Sequence, residues 1–200
     1  MIDFKIHGQL IDAVCDKYGI NTPLRKSHFL AQIDHESNSL KTLTENLNYT
    51  STALISLFSR SRISISDAEK YGRKGKKKAD QQMIANIIYG ASFGRKNLGN
   101  TNIGDGWLFR GRGAIMCTGR TNYANYGKYK GIDFISNPDL LSQSPFYLDF
   151  AGYYWNKKNI NELADKDDAK SVSKAVNGGV IGLSERIILT SKYKKHYGFF

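Results

Sequence analysis

Residues 22–49 read TPLRKSHFLAQIDHESNSLKTLTENLNY. Thr22 ahead of Pro23 marks a helix start, because a threonine hydroxyl can take up a free backbone N–H and the proline ring presets φ for the first turn. Phe29, Leu30 and Ile33 continue an apolar helical face, and the helix is expected to end around His35 to Asn38. Asn tolerates left-handed backbone angles, so Asn38-Ser39 can stop the helix and turn the chain back.

The same punctuation recurs in both directions from this stretch. Residues 3–18 read as a helix, with Ile6, Leu10, Ala13, Val14 and Tyr18 on one face and Gly19 as the stop. Helices are expected at 51–58, at 80–89 before Gly90, and at 120–130 before Gly131. Three more are expected in the last third: from Ser144-Pro145 to Lys157, from the Asp168 cap through 169–176, and over 183–197. Ser66 with Glu69 fits a capping box for a short helix. Phe93 to Gly113, rich in Gly, Asn and Arg, reads as loop with at most one short hairpin. No internal repeat or linker divides the chain.

With 200 residues, 40% hydrophobic and 24% charged, the composition is that of an ordinary globular chain with room for a sizeable core. The net charge of +11 is unusual and predicts attraction to polyanions. Residues 73–78, Arg-Lys-Gly-Lys-Lys-Lys, form the densest charge run and are expected in an exposed loop. Cys15 and Cys117 show no metal or redox spacing and read as buried thiols. The start of the chain does not read as a cleaved signal peptide, and no apolar stretch reaches membrane-spanning length. Synthesis as a soluble cytoplasmic product is the resulting expectation, so that action outside the membrane would need a separate means of release.

Glu36 lies at a helix end and Glu45 nine residues on. Two carboxyls at one cleft suit cleavage of a glycosidic bond: one is protonated to assist departure of the sugar oxygen, while the other stays ionised to activate water or attack carbon. A continuous helix would set them roughly 13.5 Å and half a turn apart. A reversal after Ser39 would permit the roughly 6.5 to 9.5 Å of an inverting pair. Spacing alone does not separate this pair from two solvated acids.

Other chemistries fit less well. His35-Glu36 lacks the second histidine of H-E-x-x-H, since position 39 is Ser, and no His/Cys cluster suggests zinc; His35 reads as a packing residue. Gly111-Arg112-Gly113 lacks the order of a phosphate-binding loop. The turn at Gly104 to Trp107, followed by Phe109 and Arg110, offers either an aromatic face for a sugar or a core ring. Tyr123, Tyr126 and Tyr129 interleave with basic residues, but at a spacing ordinary for a helix face, and no nucleic-acid motif is present.

The stretches HFLAQIDHES, ENLNYTS, GDGWLFRGRGAIMCTGRTNY, NPDLL and AVNGGVIGLSER, in this order from His28 to Arg186, resemble the family 19 glycoside hydrolases, a chitinase-like group that includes many phage endolysins. The resemblance implies a mainly α, lysozyme-like two-lobed helical fold with at most a small β-hairpin. It implies one catalytic domain over residues 1–200 with lobes around a cleft and no separate wall-binding domain, and inverting hydrolysis without cofactor or metal. By motif position, Glu36 matches the general acid and Glu45 the base for water. Thr118 and Asn122 match positions near water and substrate, and Asn177 and Arg186 match polar groups lining the cleft. Tyr49 and Trp107 join them as substrate-binding candidates. The chain departs from the pattern at Met116-Cys117, where the family keeps Gln-Leu and the amide is expected to bind sugar. It departs again at Asn38-Ser39, in place of Gly-Gly.

The expected activity is that of a muramidase on the glycan strands of bacterial peptidoglycan, causing host lysis, with chitin as the alternative substrate. A non-enzymatic basic nucleic-acid binder is the alternative of another class. A monomer without specific nucleic-acid binding is expected, its basic surface meeting anionic wall or outer-membrane polymers. Lys192, Lys194 and Lys195, with Tyr193, Tyr197, Phe199 and Phe200, fit either a terminal helix packed on the domain or a membrane-active tail.

Overall fold

The computed structural model describes residues 1–199 and is mainly α-helical, without a β-strand among them. The chain divides into two compact units. One holds Met1–Leu43, Arg112–Met116 and the chain from Leu140 onward; the other holds Thr44–Gly111 and Cys117–Asp139. No helix of the described residues is long and apolar enough to cross a membrane.

The first unit is built around α2 (Pro23–Ser37), where Thr22 caps Arg25 N at 3.1 Å. Every residue from Ser27 to Asp34 is buried, so this helix is enclosed on all sides. Its buried polar groups therefore need partners from the fold. The Ser27 and Ser37 hydroxyls donate to backbone carbonyls one turn back, His28 meets Asp167, and Asp34 accepts from Tyr193 and Ser39. Asn38, Ser39 and Leu40 then take φ of 50°, 59° and 65°, which ends the helix and reverses the chain as expected.

Around α2 stand α1 (Phe4–Lys17), α9 (Phe146–Lys157), α10 (Ile160–Asp165), α11 (Ala169–Asn177) and α12 (Leu183–His196). The buried face of α1 differs from the expected one: Ile6 is 73% exposed and Ala13 is exposed, while Ile11, Val14, Cys15 and Tyr18 turn inward. The cause is α9, whose Gly152 lets Val14 and Tyr18 come so close that a Cβ there would collide with both. On α12, Arg186, Thr190 and Tyr193 are buried against α2, so the terminal helix packs. Lys192, Lys195 and Phe199 are exposed, and Phe200 lies outside the described residues. Cys15 and Cys117 are buried and not joined in a disulfide.

The second unit contains α3 (Ser51–Leu57), α4 (Ile65–Tyr71), α5 (Gln81–Ile88), α6 (Ala91–Phe93), α7 (Asp105–Leu108) and α8 (Arg120–Lys130). Leu47, Leu54, Ile63, Ala68, Ile84, Ala85 and Ile88 form its core. The N-cap of α4 is Ser64 and not the expected Ser66 of a Ser66–Glu69 box: Asp67 N donates to the Ser64 hydroxyl oxygen at 3.0 Å, and that hydroxyl donates to the Asp67 carboxylate at 2.6 Å. Phe93–Gly113, expected as loop, contains a π-helical turn at Gly94–Leu98 and the short α7. Tertiary bonds hold these pieces: Asn100 donates to Tyr89 O and accepts from Arg120 N, and buried Asp105 takes two bonds from Arg120.

Candidate active site

In the first unit, α2 places Gln32 and Glu36 one turn apart, hence on one face. The first turn of α12 sends Arg186 onto that face. Its guanidinium, 2% exposed, donates to Gln32 Oε1 at 2.5 Å and to Glu36 Oε1, and through Nε to Ile181 O at 3.4 Å. Asn177 donates to the same carbonyl at 3.3 Å and accepts from Gly179 N at 2.8 Å, which shapes the connection between α11 and α12. Three motif-derived candidates, Glu36, Arg186 and Asn177, are thus joined through one guanidinium and one carbonyl. The Glu36 carboxyl keeps 18% of its surface open. His35, beside it in sequence, pairs with Glu185 at 3.1 Å and closes against Gly182 at φ 71°, which is a packing role.

In the second unit, Glu45 is held from both ends. Its N–H donates to Gly111 O at 2.9 Å, Gly111 N returns a bond to Oε2 at 3.1 Å, and the Tyr89 hydroxyl donates to Oε1 at 2.6 Å. A carboxylate has about four lone-pair sites, so two such bonds orient the group and leave capacity for a water proton. Burial, then the charge and hydrogen bond of Glu45, push the Tyr89 phenol well above its ordinary value, so it remains a donor. Tyr49 is pushed up for similar reasons, burial first and then Glu45, and rests edge-on against Phe58. Arg62 sits over Phe93, Phe58 and Tyr89 and donates to Ile88 O; burial lowers its pKa, against the opposing pull of Tyr89 and Glu45.

The remaining candidates occupy other parts of this unit. Asn122 Nδ2 donates to Thr118 O at 2.8 Å across the start of α8, so these two meet each other. Trp107 is half-buried, packs on the core, and has the Arg110 guanidinium 3.8 Å from its ring centroid. Met116, standing in place of the expected amide, belongs to the first unit and is half-buried at φ 52°.

Sequence reasoning missed Gln32, which shares Arg186 with Glu36, Tyr89 and Gly111, which bond Glu45, and Arg62, which sits over the Tyr89 ring. Gln32 carried a signal, since an amide among Phe29, Leu30, Ala31 and Ile33 on an enclosed helix must find a bond. Tyr89 and Arg62 carried none, because their pairing depends on segments far apart in the chain.

No family model matches the chain. A protein of Haemophilus influenzae described as a glycosyl hydrolase family 19 domain-containing protein is 35% identical over 178 residues, covering 89% of this chain and 82% of that one. Two endochitinases of Arabidopsis thaliana are 32% and 31% identical over 72 residues, which span 36% of this chain and 25% of each plant protein. Among solved structures, chitinase C from Streptomyces griseus superposes with TM-score 0.57 at 18% identity, covering 95% of this chain and 69% of that one. A bacterial family 19 chitinase superposes with TM-score 0.60 at 17% identity, covering 96% and 86%. These superpositions concern the fold alone; the long match to the Haemophilus influenzae protein carries the assignment, and this chain belongs to glycosyl hydrolase family 19.

Proposed function

We propose that this chain is a phage-endolysin-type muramidase that hydrolyses the glycan strands of bacterial peptidoglycan, with Glu36 as general acid and Glu45 as general base. In this reading Glu36 delivers its proton to the glycosidic oxygen as the bond to the anomeric carbon breaks. Glu45 takes a proton from the water that attacks that carbon from the opposite face, and the product carries inverted configuration. Arg186 holds Glu36, and Tyr89 and Gly111 hold Glu45, so neither carboxyl must be ordered when substrate arrives. Thr118, Asn122, Asn177, Tyr49 and Trp107 are proposed to line the sugar path.

The observation that carries the choice of polymer is the net charge of +11. Peptidoglycan bears carboxylates, whereas chitin is uncharged and gives a basic surface nothing to meet. The matches to plant and bacterial chitinases favour a second reading, hydrolysis of N-acetylglucosamine polymers by the same two acids. Incubation of the purified protein with peptidoglycan and with chitin oligomers, followed by mass and anomer analysis, tests both. Muropeptides with new N-acetylmuramic acid reducing ends in inverted form are expected; turnover of chitin alone overturns the first reading.

Glu36→Gln is expected to lower turnover by at least about 10²-fold, the range of a lost general acid. The amide still accepts from Arg186, so the fold is retained. Near-normal wall clearing by the folded variant sinks the assignment.

A further inference from the structure

We infer that the basic turn at residues 73–78 is a docking surface for the carboxylates of peptidoglycan stem peptides, and that it brings the wall to the segment carrying Glu45. The inference rests on the peptidoglycan reading above and adds the part of the polymer that is recognised.

Five of these six residues are cationic, and all are exposed. Among the described residues none of the five forms an ion pair; Lys77 Nζ donates to the Lys70 carbonyl at 2.6 Å. The backbone nevertheless holds them together. Lys74 and Lys77 exchange both backbone hydrogen bonds, at 3.1 and 2.9 Å, across Gly75 at φ 55°. Like charges at this density repel, so the turn carries an unfavourable field that a polyanion would relieve.

Arg73 N donates to Tyr49 O at 2.8 Å, Ala79 N to Asn48 Oδ1 at 3.3 Å, and Asp80 N to Tyr71 O at 2.8 Å. Both ends of the turn are therefore tied to Asn48 and Tyr49, three and four residues from Glu45. A glycan strand whose side peptides rest on this turn is held beside the same stretch of backbone that presents the proposed base. A neutral polysaccharide would receive no such help.

The test compares the wild-type chain with a Lys74/Lys76/Lys77/Lys78→Gln variant and a charge-keeping variant with Arg at those four positions. Each is co-sedimented on ice with sacculi freed of phosphodiester polymers, and with the same sacculi after conversion of their carboxylates to amides. The wild type is expected to bind intact sacculi about tenfold more tightly than amidated ones at low salt. That margin should shrink as ionic strength rises toward 0.15 M, where the Debye length falls to about 8 Å. The Arg variant should keep the margin and the Gln variant should lose it. Release of sugar reducing ends from amidated sacculi should be equal in all three.

Unchanged binding of intact sacculi by the Gln variant, with sugar ends still released, overturns the docking inference and leaves the peptidoglycan reading standing. Cleavage of chitin oligomers without cleavage of either wall preparation removes both. Tighter wild-type binding to a DNA duplex than to intact sacculi at equal salt overturns the assigned partner.

Discussion

Tyr89 reaches Glu45 with a hydroxyl that burial keeps protonated, so one carboxylate oxygen has a fixed donor throughout the physiological range. Hydrogen bonds to charged groups contribute about 1.5–3 kcal/mol. Tyr89→Phe is therefore expected to cost roughly tenfold or more in kcat with KM little changed, read from initial rates on wall material. His28 lies on the enclosed helix α2. It is fully enclosed, and burial depresses its pKa; Asp167 and Asp168 pull it upward, while Lys194 adds to the depression. Above about pH 6.5 the imidazole is neutral in folded and unfolded chains alike, and the full stability is present. As pH falls below that value, the unfolded chain takes a proton that the folded one resists, and stability declines. Asp167, which burial would raise but its bonds to Lys194 and His28 hold low, titrates below this window. The melting temperature should drop from pH 7 to pH 5, and His28→Gln, though less stable at pH 7, should show a flatter profile.

At the scale of elements, the contact of α12 with α2 centres on Tyr193, whose hydroxyl donates to Asp34 and accepts from Ile2 N at 3.0 Å. Tyr193→Phe strands both groups in a buried place, at a cost of about 1–3 kcal/mol. For a chain of this size that is a fall in melting temperature of roughly 2–12 °C, measurable by calorimetry. The helices with local punctuation were legible in the sequence: Thr22 and Asp168 cap where expected, and Gly131 stops α8 where expected. The π-helical turn, α7 and α10 were not, because Asn100, the Asp105–Arg120 pair and the left-handed Asn159 that hold them act across the fold or through unusual backbone angles. The inward face of α1 was misread because its pattern allows two neighbouring stripes, and only Gly152 on α9 selects one. Of the candidate site, the motifs supplied both acids and Arg186. The donors around Glu45 were hidden, since Tyr89 lies 44 residues away and nothing local marks it.

At the scale of the whole molecule, each unit is assembled from separated stretches of chain, and the first cannot be completed without residues beyond 140. A chain cut after residue 182 lacks α12 and exposes α2, so it is expected to lose cooperative unfolding and wall clearing together. Circular dichroism melts of the shortened protein check this, and a sharp melt would contradict it. The Glu36–Arg186 pair draws this topology to one point, for its members are 150 residues apart. Chains are synthesised at about 5–20 residues per second, so roughly 8–30 s pass on the ribosome between the carboxylate and its guanidinium. Throughout that interval the nascent chain holds an acid without its clamp, so Glu36 stays unpaired with Arg186 until α12 has been made.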